Sequence, residues 1–226
     1  MATKWALFIA LIQLTVLLCV NAVRDFDRRN DLRAVPPVSE SGWSVPLVGN
    51  VSCDPSSGSL SRPGVNKTLQ VIAIGRGNFN YSCGGDHAPA NAPTFVEQYT
   101  QLYDAAALVA ALPNENSFHA IIPDFLDFDY EMLANSSLEC MGSIGTLDNL
   151  AVITLFDIDT FMVSPYEWVY PPSNPDFDGL WSHSVSEGFE WEVYRVEMAG
   201  GYIPRTCADQ NATIFSEYVS EYWFYR

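Results

Sequence analysis

The stretch Phe189-Glu-Trp-Glu-Val-Tyr-Arg-Val-Glu-Met198 carries the clearest structural signal in this chain of 226 residues. Phe189, Trp191 and Val193 alternate with Glu and Tyr residues, and Gly200-Gly201 follows shortly afterwards. A period of two with polar residues on one side predicts a half-exposed antiparallel strand that turns at the glycines. The aromatic stretch Tyr218-Val-Ser-Glu-Tyr-Trp-Phe-Tyr225 predicts a closing strand.

Short apolar runs separated by Pro, Gly, Asn and Asp predict further strands at residues 69–74, 118–122, 150–156 and 161–163. Residues 94–110 differ, because Thr94-Phe-Val-Glu97 has capping-box spacing and apolar residues then recur at helical intervals. This pattern predicts a helix that ends before Pro113. The fold class expected is all-β, an antiparallel β-sandwich or barrel with one short helix, stabilised by disulfides.

The first residues have the features of a secretory signal. Lys4 precedes an uncharged run from Trp5 to Val20, and Val20-Asn21-Ala22 suits cleavage after Ala22. A retained membrane anchor is disfavoured, since spanning takes about 20 apolar residues and polar residues interrupt this run. We expect a signal peptide at 1–22, a flexible arm at 23–49, a single β-rich domain at 50–226, and no stable membrane insertion after cleavage.

Four cysteines follow the signal: Cys53, Cys83, Cys140 and Cys207. An even number in an oxidising route predicts two disulfides. Three connectivities are open, and we favour Cys53 with Cys207 and Cys83 with Cys140. A zinc site is disfavoured because neither the Cys-x-x-Cys nor the His-x-x-x-His spacing occurs, so we expect no metal.

Five acceptor sequences for N-glycosylation also follow the signal, at Asn50, Asn66, Asn80, Asn135 and Asn211. Together they predict a secreted glycoprotein, with each acceptor on an exposed loop or strand edge.

The chain is strongly acidic, with 27 Asp and Glu against 11 Lys and Arg and a net charge of −16. This charge disfavours nucleic acid and anionic membranes as partners. Residues 77–194 contain no Lys or Arg, and the acids of this region include Asp124, Asp127, Asp129 and Glu131. This acidic cluster is the candidate site for a glycosidase, which needs two carboxylates, although a solvated acidic surface is the favoured interpretation. The cluster lacks the Gly and Glu positions of a calcium loop.

Two of the six tryptophans are candidates for stacking on sugar rings. Trp168 and Trp181 flank a Pro-rich, acidic segment that is typical of a loop, whereas Trp191 and Trp223 lie in predicted strands and are expected in the core.

Several motifs occur together and in order. They are Ile74-Gly-Arg-Gly-Asn-Phe-Asn-Tyr-Ser-Cys83, Gln101-Leu-Tyr-Asp-Ala105, Glu192-Val-Tyr-Arg-Val196, Ala199-Gly-Gly201 with Pro204, Thr206-Cys207 and Ser220-Glu-Tyr-Trp-Phe-Tyr225. By these motifs the chain resembles a secreted, mostly fungal family catalogued as domain of unknown function 3455. The residues that carry the resemblance include Gly75, Arg76, Gly77, Asn80, Tyr81, Tyr194, Arg195, Gly200 and Gly201. It implies secretion and a β-rich domain, and no established activity.

The chain departs from the family pattern at two places. Ala105-Ala106-Ala107 stands where members usually carry a cysteine, which Cys140 would replace, and a Gly-His-His-Tyr-Phe segment is missing. Members are often labelled malate dehydrogenase. Here Gly75-Arg-Gly77 lacks the third glycine and the following helix of a dinucleotide-binding loop, so we expect no cofactor. The glycines are expected to flank a strand end, with Arg76 paired to a carboxylate.

The function expected from the sequence is that of a secreted acidic glycoprotein. We expect a non-catalytic binding protein of the cell surface, cell wall or extracellular medium, with a wall polysaccharide or a cationic polymer as partner. A glycan hydrolase that uses two carboxylates of the acidic middle region is the alternative.

Overall fold

A computed structural model of the protein describes residues 35–50, 58–84 and 90–226. Eight antiparallel strands pair in chain order and close into a barrel, because the last strand returns to pair with the first. The strands are β1 (Leu69–Ser82), β2 (Thr94–Asp104), β3 (Cys140–Leu147), β4 (Leu150–Leu155), β5 (Asp159–Val169), β6 (Trp181–Ser186), β7 (Glu192–Gly200) and β8 (Thr213–Tyr225). The predicted antiparallel β-barrel is confirmed.

Three short α-helices lie between β2 and β3, where one helix was expected. They are α1 (Ala106–Ala111), α2 (Glu115–Ile121) and α3 (Tyr130–Ala134), and 3-10 helices occur at Val38–Glu40, Ile122–Asp127 and Glu187–Phe189. The 3-10 helix Ile122–Asp127 packs against the outer side of β7 and β8. None of the described helices is long and apolar enough to cross a membrane.

The register of β1 places Gly75 and Gly77 on the inner face of the barrel, in the middle of the strand and not at its end. A Cβ on Gly75 would lie 2.3 Å from the Tyr222 ring, and one on Gly77 would lie 2.5 Å from Oγ1 of Thr100. Glycine is therefore required where the inner side chains of β2 and β8 approach the backbone of β1.

The prediction of a helix over residues 94–110 was wrong for Thr94–Asp104 and is confirmed only for its last residues, which lie in α1. The prediction of a strand at residues 118–122 was wrong, because these residues are helical. Residues Thr94–Asp104 form β2, because β1 and β3 both offer backbone partners along this stretch and the ladder bonds outweigh a helical pattern. Phe118 and Ile122 lie in a helical segment, where their spacing of four residues buries both side chains. The side chain of Asn114 caps α2 by accepting a hydrogen bond from the backbone N–H of Ser117 at 3.0 Å.

The prediction that β7 is half exposed was also wrong. Glu192, Val193 and Tyr194 are all buried, because the outer face of the strand is covered by the chain that precedes β1. In this preceding segment Val45 and Leu60 are buried. The described end of the predicted flexible arm, residues 35–49, thus packs against the barrel.

The favoured disulfide connectivity is corrected by a bond between Cys83 and Cys207, whose Cα atoms are 5.5 Å apart. This bond joins the end of β1 to the loop before β8, two segments that closure of the barrel brings together. Cys140 is disulfide-bonded as well. Cys53 and the predicted signal peptide at 1–22 lie outside the described residues.

Candidate ligand cavity

The two ends of the barrel interior differ. At one end the rings of Phe161 and Trp191 stack with centroids 4.9 Å apart, and the indole N–H of Trp191 donates to Asp159 at 2.9 Å. At the opposite end a cavity of about 320 Å³ lies between the inner faces of the strands. Its volume falls at the lower end of the range typical of small-molecule sites, which is about 300–1,000 Å³.

The wall of the cavity is mostly apolar. Phe79 and Tyr81 of β1 and Phe95 of β2 form an aromatic side, with the centroids of the Tyr81 and Phe95 rings 5.7 Å apart. Val163 of β5 and Ile203 after β7 contribute aliphatic surface. This arrangement follows from the period of two in each strand, which directs alternate side chains into the barrel.

One cation enters this apolar space. Arg195 of β7 extends inward, with its guanidinium carbon 5.0 Å from the centroid of the Phe79 ring and 5.9 Å from that of Tyr218. Its Nη2 donates to the backbone carbonyl of Leu180 at 3.2 Å, whereas its Nε lacks a hydrogen-bond partner. Within the described part of the chain, no carboxylate forms an ion pair with Arg195.

A network of neutral polar side chains lies beside this guanidinium. The amide of Gln98 donates to the Tyr218 hydroxyl at 2.7 Å, and this hydroxyl lies 2.5 Å from Oγ1 of Thr100 and 2.7 Å from the Tyr222 hydroxyl. Burial holds the pKa of Tyr218 well above its usual value, although Arg195 acts in the other direction. The Tyr218 hydroxyl therefore stays protonated at physiological pH.

Two serines of β6 add hydroxyl groups to the cavity wall. Ser182 and Ser184 line the cavity on the strand next to Arg195, and Ser182 lies directly opposite Arg195 in the register. A bound molecule would meet these hydroxyls together with the guanidinium and the Gln98 amide.

The acidic cluster predicted as a hydrolase site lies elsewhere. Asp124 and Asp127 belong to the 3-10 helix on the outside of the barrel, and all four acids of the cluster are exposed. The carboxylate of Asp129 caps α3 by accepting a hydrogen bond from the backbone N–H of Met132 at 2.7 Å. The cluster lacks the desolvation that a general acid of a glycosidase requires.

The two tryptophans predicted to stack on sugar rings differ in exposure. Trp168 lies at the rim of the cavity with 58% of its surface exposed, which suits stacking on a ligand. Trp181 is 1% exposed on β6, so its predicted role in sugar stacking is wrong. The alternation of β6 directs Trp181 to the outer face, where its side chain belongs to the buried hydrophobic cluster.

The predicted glycosylation acceptors differ in exposure. Asn66, Asn135 and Asn211 are exposed, whereas Asn50 is half-buried. Asn80 is also half-buried, and its side-chain amide donates to Glu97 at 2.8 Å on the outer face of β1.

The motif residue Arg76 has a structural role on the outer face of β1. It donates to the carbonyls of Leu126 and Phe128 at 3.2 Å each and forms an ion pair with Glu217 at 2.7 Å. The expected carboxylate partner is thus present. These contacts fasten the segment between β2 and β3 to the barrel wall. Because Gly75-Arg-Gly77 runs inside an antiparallel strand, it forms no dinucleotide-binding loop.

The other motif residues divide between the two faces of the barrel. Tyr81 and Gly201 line the cavity, and Gly200 and Gly201 adopt φ of 73° and 76° at the end of β7. Tyr194 points outward, where its ring stacks on the buried His183 with centroids 4.2 Å apart. His183 has carboxylates of Glu167 and Glu192 at 3.6 Å, yet burial lowers its pKa.

A second group of titratable side chains is buried beneath α2. Glu221 of β8 is fully buried and contacts Nδ1 of His119 at 2.7 Å and the indole N–H of Trp223 at 2.9 Å. Burial, reinforced by Glu221, raises the pKa of Glu197 to about 7. Within the described ranges, no three His, Cys, Asp or Glu side chains converge as the ligands of a metal ion would.

Most of the residues that line the cavity carry no motif or local pattern that marks them as functional. Gln98, Thr100, Ser182 and Ser184 are polar residues at alternate positions within strands, which is the signal that would have marked a partly polar barrel interior. Arg195 was noticed as a motif residue, but its inward orientation depends on the register of β7.

A family model described as "Protein of unknown function (DUF3455)" matches residues 181–226, which contain β6, β7 and β8. Arg195, Tyr218 and Tyr222 lie in the matched region. No curated protein and no solved structure matches the chain.

Proposed function

We propose that the protein is a secreted, non-catalytic binding protein whose barrel holds a small, largely apolar molecule. The observation that carries this proposal is the cavity of about 320 Å³ between the inner faces of the strands at one end of the barrel. Protein interiors are normally packed to the density of organic crystals. A space walled by Phe79, Phe95 and Val163 therefore suits an apolar guest better than it suits water.

A binding role fits the chemistry of the cavity better than catalysis does. The described lining residues include no Asp, Glu or His, so they offer no carboxylate or imidazole for general acid–base chemistry. The acidic cluster that was the candidate site for a glycosidase is exposed on the outside of the barrel.

Secretion is supported by chemistry that the structure shows. The bond between Cys83 and Cys207 is typical of an oxidising compartment, and three acceptor asparagines are exposed. The sequence features of a signal peptide point the same way. An extracellular or cell-wall location therefore belongs to the proposal.

A cell-wall polysaccharide is a second candidate partner, favoured by the exposed indole of Trp168 at the rim of the cavity. An aromatic face in this position suits a pyranose ring. Such a partner would bind at the rim and not inside the barrel.

Titration with the neutral fluorescent probe N-phenyl-1-naphthylamine tests the proposal on the secreted, glycosylated protein. We expect saturable binding that weakens at least tenfold in Ala151→Phe, which fills the cavity, while Val65→Phe on the exposed surface binds as the wild type does. Equal binding by both variants, or no binding by the wild type, would overturn the proposal. Retention on chitin, chitosan or β-glucan that Trp168→Ala abolishes would instead favour the polysaccharide.

A further inference from the structure

We propose that the molecule held in the barrel is an organic monoanion, a compact carboxylate with an aromatic or branched aliphatic body, whose charged group is bound by Arg195. This inference rests on the proposed function, because it names the class of ligand for the same cavity. The observation behind it is that the described lining of the cavity carries one positive charge and no negative charge, although the chain as a whole is strongly acidic.

The charge of Arg195 is not balanced by a carboxylate among the described residues. A guanidinium presents five N–H donors in a planar fork that matches a carboxylate. In this protein one backbone carbonyl, that of Leu180, accepts from Arg195, and Nε lacks a partner. Burying a charge is costly unless it is paired, and the aromatic rings of Phe79 and Tyr218 compensate only in part. An anion from outside would complete the pairing.

The described lining of the cavity carries no negative charge. The chain has 27 Asp and Glu against 11 Lys and Arg, yet Arg195 is the one charged side chain among the described lining residues. By contrast, Arg76, which is buried on the outer face, has its carboxylate partner Glu217 at 2.7 Å. The fold thus neutralises the arginine on the outer face and leaves the half-buried inner one without a described carboxylate partner.

Neutral hydroxyl donors lie beside the guanidinium. Ser182 and Ser184 line the cavity on the neighbouring strand, whereas the amide N–H groups of Gln98 already donate to the hydroxyls of Thr100 and Tyr218. A carboxylate accepts several hydrogen bonds at once, which suits this set. A phosphate dianion usually meets more than one cation, whereas Arg195 is the one cation that the structure places in the described lining.

The volume of the cavity limits the size of the ligand. A volume of 320 Å³ accommodates about ten groups the size of water, and the wall also includes Ala151 and Val163. A single ring system, or a branched chain of similar bulk, with one carboxylate fits these limits. The exposed rim at Trp168 leaves room for a substituent that extends outward.

A matched set of neutral and charged ligands tests this inference at pH 7. The set is 2-naphthoate, 2-naphthamide and 2-naphthylmethanol, measured by displacement of N-phenyl-1-naphthylamine and by calorimetry. We expect the wild type to bind 2-naphthoate at least tenfold more tightly than either neutral analogue. Arg195→Met should remove this preference, so that 2-naphthoate and its neutral analogues bind this variant with similar affinities. Arg195→Lys should keep part of the preference.

The control variant is Arg205→Met, which removes an exposed arginine outside the cavity and should preserve the preference for 2-naphthoate. If the wild type binds the neutral probe but shows no preference for the carboxylate, the inference fails and the proposed function stands. If the wild type binds neither the probe nor any naphthyl ligand, the proposed function fails as well. Because these outcomes use the wild type, they do not depend on the folding of the variants.

Discussion

Substitution Glu197→Gln should make the protein more stable at neutral pH and leave its stability at pH 4 unchanged. Glu197 lies near the buried Glu221 and His119 and has its pKa raised from 4.5 to about 7, chiefly by burial. The folded state therefore holds a proton that the unfolded state releases above pH 4.5. Wild-type stability from this group is fully present below pH 4.5 and is lost as the pH rises towards 7. A glutamine imitates the protonated side chain at every pH.

The size of the effect follows from the pKa. A tenfold change in proton affinity corresponds to about 1.4 kcal/mol. Raising the pKa from 4.5 to about 7 would thus correspond to about 3 kcal/mol for a fully buried group. Glu197 retains some contact with solvent, which screens its charge and reduces the expected gain to about 1–2 kcal/mol above pH 7.

Urea denaturation at intervals between pH 4 and pH 8 measures this effect as a difference between variant and wild type. The difference is needed because His183, whose pKa is lowered by burial, gives stability that grows as the pH rises. His119 and Glu221, whose pKa values are raised, change stability in the same direction as Glu197. Glu187→Gln on the exposed surface is the control and should match the wild type throughout. Parallel curves for Glu197→Gln and the wild type would refute the reasoning.

Three further predictions concern stability in thermal and urea denaturation. Gly75→Ala should lower the free energy of unfolding by about 1–3 kcal/mol, because its Cβ would lie 2.3 Å from an atom of the Tyr222 ring. Gly145→Ala is the control, since the space around its Cβ is open, and should lower the free energy of unfolding by less than about 0.5 kcal/mol. Equal losses of stability in the two variants would contradict the close packing at Gly75. Arg76→Met should lower the free energy of unfolding by about 2–3 kcal/mol, because the carbonyls of Leu126 and Phe128 would lose their donor. An unchanged free energy of unfolding would show that Arg76 does not stabilise the contact between this segment and the barrel. Double replacement of Cys83 and Cys207 by Ser should cost about 2–5 kcal/mol, since the bond spans 124 residues; an unchanged midpoint would argue against the bond.

Short apolar or aromatic runs were recognised as strands. The predicted strands at residues 69–74, 150–156, 161–163 and 218–225 correspond to parts of β1, β4, β5 and β8. The prediction failed in β2, where polar and apolar residues are buried side by side. In β2, Thr100, Gln101, Leu102 and Tyr103 are all buried, so the alternation of polarity disappears and the apolar spacing resembles that of a helix.

The candidate cavity was harder to predict than the fold because it depends on strand register. A shift of one residue would turn Arg195 outward and Tyr194 inward. The register is fixed by pairing with β6 and β8, which lie before and after β7 in the chain. The residues of β7 alone do not reveal how the strand pairs with these two neighbours. The acidic cluster, in contrast, is conspicuous in the sequence because its members are close along the chain, and this closeness reflects a solvated helical segment.

The pairing of β1 with β8 also constrains how the protein can be made. β1 emerges early during synthesis, but one of its two edges has no partner until the last strand has been produced. In the interval, both β1 and β7 present open edges that favour association with other chains. Contacts between such distant segments form slowly. A nascent chain that stalls before residue 213 would therefore have two unpaired strand edges. Whether it aggregates would depend on the chaperones of the compartment in which it folds.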